Sequence, residues 1–330
     1  VPAADGVRAV LARHSFGWRQ ATAGLLAALA MTGPAVLGTA WVWSTLDAVG
    51  PDGRTVAALR ASDVPVVPAA GRQIQSAPEA ARVLLLDPSA ADDVTASLLG
   101  RDGRQLTALS RAVTAQTVRG GWGAAQPADP DRADEQLAQG VGRLVAGADD
   151  DVAPDLAALA VGAVLVPPAA EDASAEAVAA RGALVAQLDG TSGLERVTET
   201  ASGIIWRVAV TDRGTTTAWA RLADDAAGTP AVVPARDGAV RTAVEASGRD
   251  RLLVLAERAD PGWRAELDGR PLRAVQSGWQ QAFEVGRDDG LLTVEHVAPS
   301  RGLWAVVQGV VLVVALLLAV PVRRRRGGAR

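Results

Sequence analysis

Among the residues whose types and spacing point to chemistry, Asp129-Pro130-Asp131 comes first. Two carboxylates in an Asp-x-Asp arrangement can share one hard cation, and many glycosyltransferases use such a pair to hold a metal on a nucleotide-sugar diphosphate. The pair closes a Gly- and Pro-rich stretch, Arg119 to Asp131, which reads as a solvated acidic loop. Asp149-Asp150-Asp151 is read the same way, as a solvated run before a helix rather than a cation site. The only histidines are His14 and His296. Serine–histidine catalysis would have to use His296, yet no Gly-x-Ser-x-Gly elbow exists, and a satisfied or surface histidine is the better reading. Gly120-Gly121-Trp122-Gly123 fits neither nucleotide-binding glycine pattern. With no cysteine in the chain, disulfides, thiolate metal sites and cysteine nucleophiles are excluded. No catalytic residue, cofactor site or metal site is therefore assigned from the residues.

The tryptophans are the remaining candidates, because an exposed indole is a flat platform on which a sugar ring can stack. Trp263 and Trp279 each follow a glycine at the start of an expected strand. Trp263 alternates in phase with Ala265 and Leu267, which puts it on a core face. Trp279 and Trp122 are the candidates for glycan contact.

Two uncharged apolar spans, Ala21 to Trp43 and Leu303 to Val322, lie near the two ends of the chain. Crossing a hydrocarbon core of ~30 Å takes roughly 20 helical residues, so each is long enough. Arg8, Arg13 and Arg19 precede the first, and Arg323 to Arg326 follow the second. The positive-inside rule then places both termini in the cytoplasm and residues 44–302 outside it, at a plasma membrane. Trp18, Trp41, Trp43 and Trp304 fall at the expected headgroup levels. A secretory signal peptide with Gly38-Thr39-Ala40 as its cleavage site is the alternative for the first span, but the apolar stretch exceeds a signal h-region. The chain begins at Val1, so it is expected to be processed or part of a longer parent, and the longer parent is favoured.

Between the spans, 25 arginines face 36 acidic residues, a formal charge of −11. That balance argues against nucleic acid or an anionic membrane surface as a partner. All 33 basic residues are arginine, which reads as codon bias in a GC-rich genome rather than as 33 guanidinium-specific sites.

The elements that must position these residues follow from periodicity. Asp47 to Gly71 reads as a connection, Val83 to Leu86 as a buried strand ended by Asp87-Pro88, and Ala90 to Leu99 as a helix capped by Ser89. Helices are expected over 132–145, 155–160 and 173–181, and strands over 163–166, 194–200 and 203–210. From about Thr215 the period becomes two, with strands around 240–244, 251–257, 263–267, 270–276, 279–285 and 291–297. Asp268-Gly269 is a hairpin turn. The expected fold is a membrane-anchored α+β chain with two transmembrane helices. These flank an ectodomain made of an α/β layer and a small antiparallel β-sandwich. The expected divisions are a cytoplasmic segment 1–20, a helix 21–43, an α/β domain 44–212, a sandwich 213–302, a helix 303–322 and an Arg-rich tail 323–330.

The runs Leu252 to Glu257, Ala259-Asp260-Pro261-Gly262-Trp263-Arg264-Ala265, Leu267 to Leu272 and Gly278 to Phe283, with the final apolar span and arginine cluster, carry a resemblance. They resemble the C-terminal ectodomain of actinobacterial family 2-type polytopic membrane glycosyltransferases. A related "GW…DG" element occurs in YfhO-type membrane proteins of lipoteichoic-acid glycosylation. The resemblance covers residues 250–330 and, more loosely, Gly162 to Pro167. It implies that the chain is the non-catalytic C-terminal membrane and ectodomain portion of a glycosyltransferase of cell-envelope polysaccharide assembly. The implied partners are the lipid bilayer and a lipid-linked or nascent glycan. In that family the nucleotide-sugar site belongs to a cytoplasmic domain that is not in this sequence, so no catalytic residue carries over. The alternative is a standalone two-pass envelope protein whose ectodomain binds glycan or a partner protein. An ectodomain hydrolase, the third reading, would need convergent carboxylates in a cleft.

Overall fold

In the computed structural model the described residues are 65–90, 93–101, 131–147, 151–171, 173–210, 215–224 and 230–297. To these are added single helical positions within 22–39, together with 306–314 and 317. Residues 62–297 form one compact unit, and residues 1–61 with 298–330 form another.

In the unit 62–297 a five-stranded mixed sheet comes first. Its strands are β1 (Arg82–Ala90), β2 (Asp93–Leu99), β3 (Val161–Val166), β4 (Leu194–Thr200) and β5 (Gly203–Val208), in the order β2-β1-β3-β5-β4. Only β1 and β3 run parallel. Helices α1 (Ala69–Ser76), α2 (Arg132–Ala146), α3 (Ala153–Ala158) and α4 (Ala175–Gly190) accompany it. The strand Val-Gly-Ala-Val-Leu-Val of β3 is buried at every position, as a strand covered on both faces must be. Leu84, Leu86, Val164 and Trp206 pack with Leu144 of α2, Leu156 of α3 and Leu188 of α4. On the opposite face, Val83, Ala163, Leu165 and Ile205 meet Ala70 and Ile74 of α1.

The rest of the unit is antiparallel. β6 (Ala220–Asp224), β7 (Ala231–Val232), β10 (Arg251–Arg258), β13 (Arg273–Ser277) and β14 (Gln280–Gly286) form one sheet in the order β13-β14-β10-β6-β7. β8 (Ala235–Arg236), β9 (Ala239–Val244), β11 (Trp263–Leu267), β12 (Arg270–Pro271) and β15 (Gly290–His296) form another in the order β12-β11-β15-β9-β8. Leu253, Leu255 and Phe283 of the first share one core with Trp263, Ala265, Leu292 and Val294 of the second. Trp263 is 3 % exposed and lies 5.9 Å from Trp219, ring centre to ring centre. The core placement expected from its phase with Ala265 and Leu267 is observed.

The α+β fold, with a mixed sheet followed by antiparallel strands, agrees with expectation. Several local readings are corrected. Residues 93–99 are a strand, not a helix, and β1 runs through Asp87-Pro88 to pair Pro88 with Val94 and Leu84 with Leu98. Pairing along a buried strand that already covers Leu84 and Leu86 outweighs the weak helix preference of an alanine-rich segment. Helix α1 starts inside the segment read as a connection, behind Pro68, and has no side-chain cap to announce it. α4 continues through Gly182 to Gly190 because Leu184 and Leu188 extend its buried stripe. The single strand expected over 270–276 is two, β12 and β13, which belong to different sheets.

Among the described residues no helix is long and apolar enough to cross a membrane. The two expected spans lie largely outside those residues. Where they are described they are helical: Thr22, Leu25, Val36 and residues 306–314. Val306, Val307, Val310 to Val314 and Leu317 are all exposed large apolar side chains.

Candidate functional site

Asp131 is the N-cap of α2. Its Oδ1 accepts the backbone N–H groups of Ala133 and Asp134, both at 2.9 Å. Asp134 Oδ2 in turn accepts the N–H of Asp131 at 3.2 Å, which completes a capping box with Asp in place of the usual Glu. The same carboxylate faces Arg258, the last residue of β10. Arg258 Nε donates to Asp131 Oδ2 at 2.6 Å, and Nη2 donates to Asp131 Oδ1 at 3.2 Å and to Asp134 Oδ1 at 2.6 Å. Arg258 is buried while the two carboxylates stay nearly half exposed. Burial works to raise the Asp131 pKa, but the Arg258 hydrogen bond and charge and the α2 amide outweigh it, leaving the carboxyl below its ordinary value. Burial likewise works against the Arg258 cation, and its two carboxylates more than compensate, so its pKa is raised.

Asp131 is thus engaged as a helix cap and ion-pair partner, and a cation there would have to displace Arg258. Asp129, the other half of the Asp-x-Asp pair, lies outside the described residues. So do Asp149, Asp150, His14, Trp122 and the Gly120 to Gly123 run. Asp151 accepts the N–H of Ala153 at 2.9 Å and so orders the first turn of α3. Among the described residues no group of three or more His, Asp or Glu side chains is placed to hold a metal.

Among the described residues, the Arg258 clamp is one of three side-chain ties between the mixed sheet with its helices and the antiparallel strands. Beside them run backbone bonds from Trp219 N–H to Glu79 O at 2.8 Å and from Ala235 N–H to Pro78 O at 3.1 Å. Arg82, at the head of β1, is 4 % exposed. Its Nη1 donates to Leu159 O at 2.9 Å and Ala256 O at 2.6 Å, and its Nη2 pairs with Glu257. Glu257 also accepts the Trp219 indole N–H at 2.9 Å. The third tie is Gln280 of β14. Its Nε2 donates to Ala158 O at the end of α3, and its Oε1 accepts from Arg221 Nη2, both at 2.8 Å. Burial lowers the Arg221 pKa from its ordinary value. Buried charges cost several kcal/mol each unless paired and hydrogen-bonded, so this seam holds only in one registration of the two parts.

Trp279 lies beside the seam. It is half-buried and packs against the core of the mixed sheet, and its carbonyl accepts the N–H of Ala259 at 3.1 Å. The indole that was a candidate platform for a sugar ring thus spends much of its surface on packing within the unit.

His296 ends β15 opposite Trp263, with the rings edge to face at 4.9 Å. Its Nε2 lies 3.2 Å from Asp260 Oδ1, which also accepts the N–H of Gly262 at 2.6 Å. Asp260 closes the turn by accepting the Trp263 N–H on its carbonyl, and Val297 N–H donates to Gly262 O at 2.9 Å. A Cβ at residue 262 would stand 2.7 Å from His296 Nε2, which is why the Asp-Pro-Gly-Trp turn needs its glycine. The histidine is satisfied by structure, as the sequence suggested.

Several concave regions mark the surface of the described residues. A trough of about 580 Å³ runs beside β7 and β9, lined by Leu222, Val232, Val244 and Arg249. An apolar groove of about 380 Å³ lies between β2 and α2, lined by Val94, Leu137, Val141 and Val145. The trough also presents Asp224, Glu245, Ser247 and Arg251, whereas the groove's one titratable side chain is Asp134.

The sequence reading missed the seam, although it left a trace. Arg82 heads an apolar strand, and Glu257-Arg258 directly follow an apolar run. Charges at the ends of buried strands need partners, but nothing local says which.

Comparison with protein-family models, with curated proteins and with solved structures found no match to this chain.

Proposed function

We propose that this chain is the membrane-anchored, non-catalytic portion of a polytopic plasma-membrane glycosyltransferase of cell-envelope polysaccharide assembly. Its helical ends anchor an extracytoplasmic unit of α/β layer and β-sandwich, with both termini cytoplasmic. The observation that carries the anchoring is the helix over 306–314, in which every residue but Gln308 and Gly309 is an exposed valine or leucine. A helix that exposes this much apolar surface is favoured in an apolar surrounding, and a bilayer supplies one. The non-catalytic role is supported by what the chemically able residues do. Asp131 caps a helix and clamps Arg258, Asp151 orders α3, and His296 is held by Asp260 and Trp263. The glycosyltransferase parentage rests on the resemblance of residues 250–330. Within that stretch the Asp-Pro-Gly-Trp turn and Glu257 take structural parts.

The test is the protein as its source cell makes it. Antibody raised against residues 62–297 is expected to detect a membrane protein much longer than this chain, with an Asp-x-Asp-bearing cytoplasmic domain. A native protein of this chain's own length would favour the standalone two-pass envelope protein instead. The chain alone, in vesicles, is expected to transfer no sugar from a nucleotide donor. Metal-dependent turnover lost in both Asp129→Ala and Asp131→Asn would contradict the non-catalytic role.

A further inference from the structure

Among the described residues, β2 and β4 are the edges of the mixed sheet, and β7, β8, β12 and β13 are those of the antiparallel sheets. An edge strand offers a row of backbone N–H and C=O groups to any other strand, and most edges are blunted against it. β7, β8 and β12 have two residues each. β13 opens on Arg273, which pairs with Glu284. β4 carries Glu195, Arg196 and Glu199, all in ion pairs, and its ladder is broken between Arg196 and Thr198. β2 has none of these devices. Its seven residues, Asp-Val-Thr-Ala-Ser-Leu-Leu, pair with β1 without a break from Val94 to Leu99, and its only charge is Asp93 at the start. Leu99 O accepts the Gln75 side-chain amide at 2.9 Å and keeps a second lone pair.

The apolar groove of about 380 Å³ borders this same edge. Val94 and Ala96 of β2 face Leu137, Val141 and Val145 of α2 across it. Successive strand residues point to opposite faces, and the packing follows that rule. Val94, Ala96 and Leu98 lie on the α2 side, whereas Leu99 packs on the α1 side. An unpaired ladder and an unfilled apolar face thus lie next to each other along one edge.

We infer that the open edge of β2, with the groove beside it, is an interface at which two copies of this chain pair. The inference adds to the membrane reading and does not depend on it. A two-fold axis through Ser97 sets the register. Asp93 and Arg101 lie four residues to either side of Ser97, so antiparallel pairing sets each Asp93 opposite the second copy's Arg101. Opposite charges facing across a strand pair favour that register, whereas an axis through Ala96 would set Asp93 against Leu99. Residues matched this way point to the same face, so Val94, Ala96 and Leu98 of both copies form one apolar strip. The two grooves merge over that strip, and each α2 covers apolar surface that the other copy leaves open. The surface is self-complementary, as a two-fold contact requires.

The chain has no cysteine, so a single introduced cysteine reports its own neighbour. In the full chain in detergent, Ser97→Cys would meet its counterpart on the axis. Facing Cα atoms of an antiparallel pair lie about 4.5–5.5 Å apart, within the range a disulfide spans. Mild oxidation is expected to join most Ser97→Cys chains in pairs, while Val197→Cys, exposed on β4, stays single. Arg101→Glu in the Ser97→Cys background is expected to cut the yield about fivefold, and adding Asp93→Arg to restore it. A Ser97→Cys chain that stays single yet reacts with maleimide would overturn the interface and show a free edge. One that stays single and reacts only after unfolding would overturn it too, with the chain's own residues 102–130 as the cover. Equal joining at Ser97→Cys and Val197→Cys would mark random collision. Joining to a different protein in source-cell membranes would replace the second copy with another partner. Either result also overturns the proposal.

Discussion

Arg82 and Glu257, 175 positions apart in the chain, form an ion pair in which both side chains are at most 5 % exposed. The pair sits where the mixed sheet meets the antiparallel strands, with Trp219 and two backbone carbonyls completing its hydrogen bonds. Breaking one partner strands the other charge out of water. Arg82→Ala or Glu257→Ala is therefore expected to cost about 3–5 kcal/mol, measured by urea unfolding of the full chain in detergent. The double replacement Arg82→Met with Glu257→Leu should cost less than either. A single variant within about 1 kcal/mol of the parent chain would show that the pair does not hold the two parts together.

The Arg258 clamp should show in the acid limb of stability. The folded Asp131 pKa lies below its ordinary value, so the folded state binds fewer protons there than the unfolded state. Its stabilisation is complete above the unfolded carboxylate value of about 3.9 and fades as pH falls through the folded value. Asp131→Asn keeps a capping side chain but loses the ion pair. The variant is expected to flatten the stability slope below about pH 4 and to be destabilised at neutral pH. An unchanged acid slope would count against the clamp.

Trp263 and Trp279 separate core packing from surface. Trp263→Ala is expected to cost about 3–5 kcal/mol, as for other fully buried aromatics. Trp279 is only half-buried against the mixed-sheet core, so its truncation should cost about 2 kcal/mol. If Trp279→Ala also abolishes binding in a glycan titration while unfolding remains cooperative, its exposed edge is a sugar contact. If binding is untouched, Trp279 is a packing residue alone.

Much of the fold was legible because its strands announce themselves. β3, β4, β5, β11 and β15 lie within a residue or two of expectation, since an apolar run or strict alternation leaves one reading. α2 lies within a residue of the expected 132–145 because Ala133, Leu137, Val141 and Leu144 recur at helical spacing. The illegible parts depend on distant partners. β2 is a strand because β1 is beside it, and α1 is a helix whose entry carries no cap signal. The seam is illegible for the same reason. Which of 25 arginines between the spans meets Glu257 is decided by topology, not by spacing. The motif that looked most chemical, Asp129-Pro130-Asp131, is the example in reverse. The local reading was a solvated acidic loop, and Asp131 instead caps α2 and is held by a guanidinium 127 residues away.

The most direct test of the membrane-anchored reading is the side of the membrane on which each part lies. A phosphatase, active only outside the cytoplasm, would be fused separately after Ala90 and after Arg330, with a cytoplasm-active β-galactosidase in parallel. The expected result is phosphatase activity at Ala90 and β-galactosidase activity at Arg330, which places residues 44–302 outside and both termini inside. Phosphatase activity at Arg330, or β-galactosidase activity at Ala90, would contradict it.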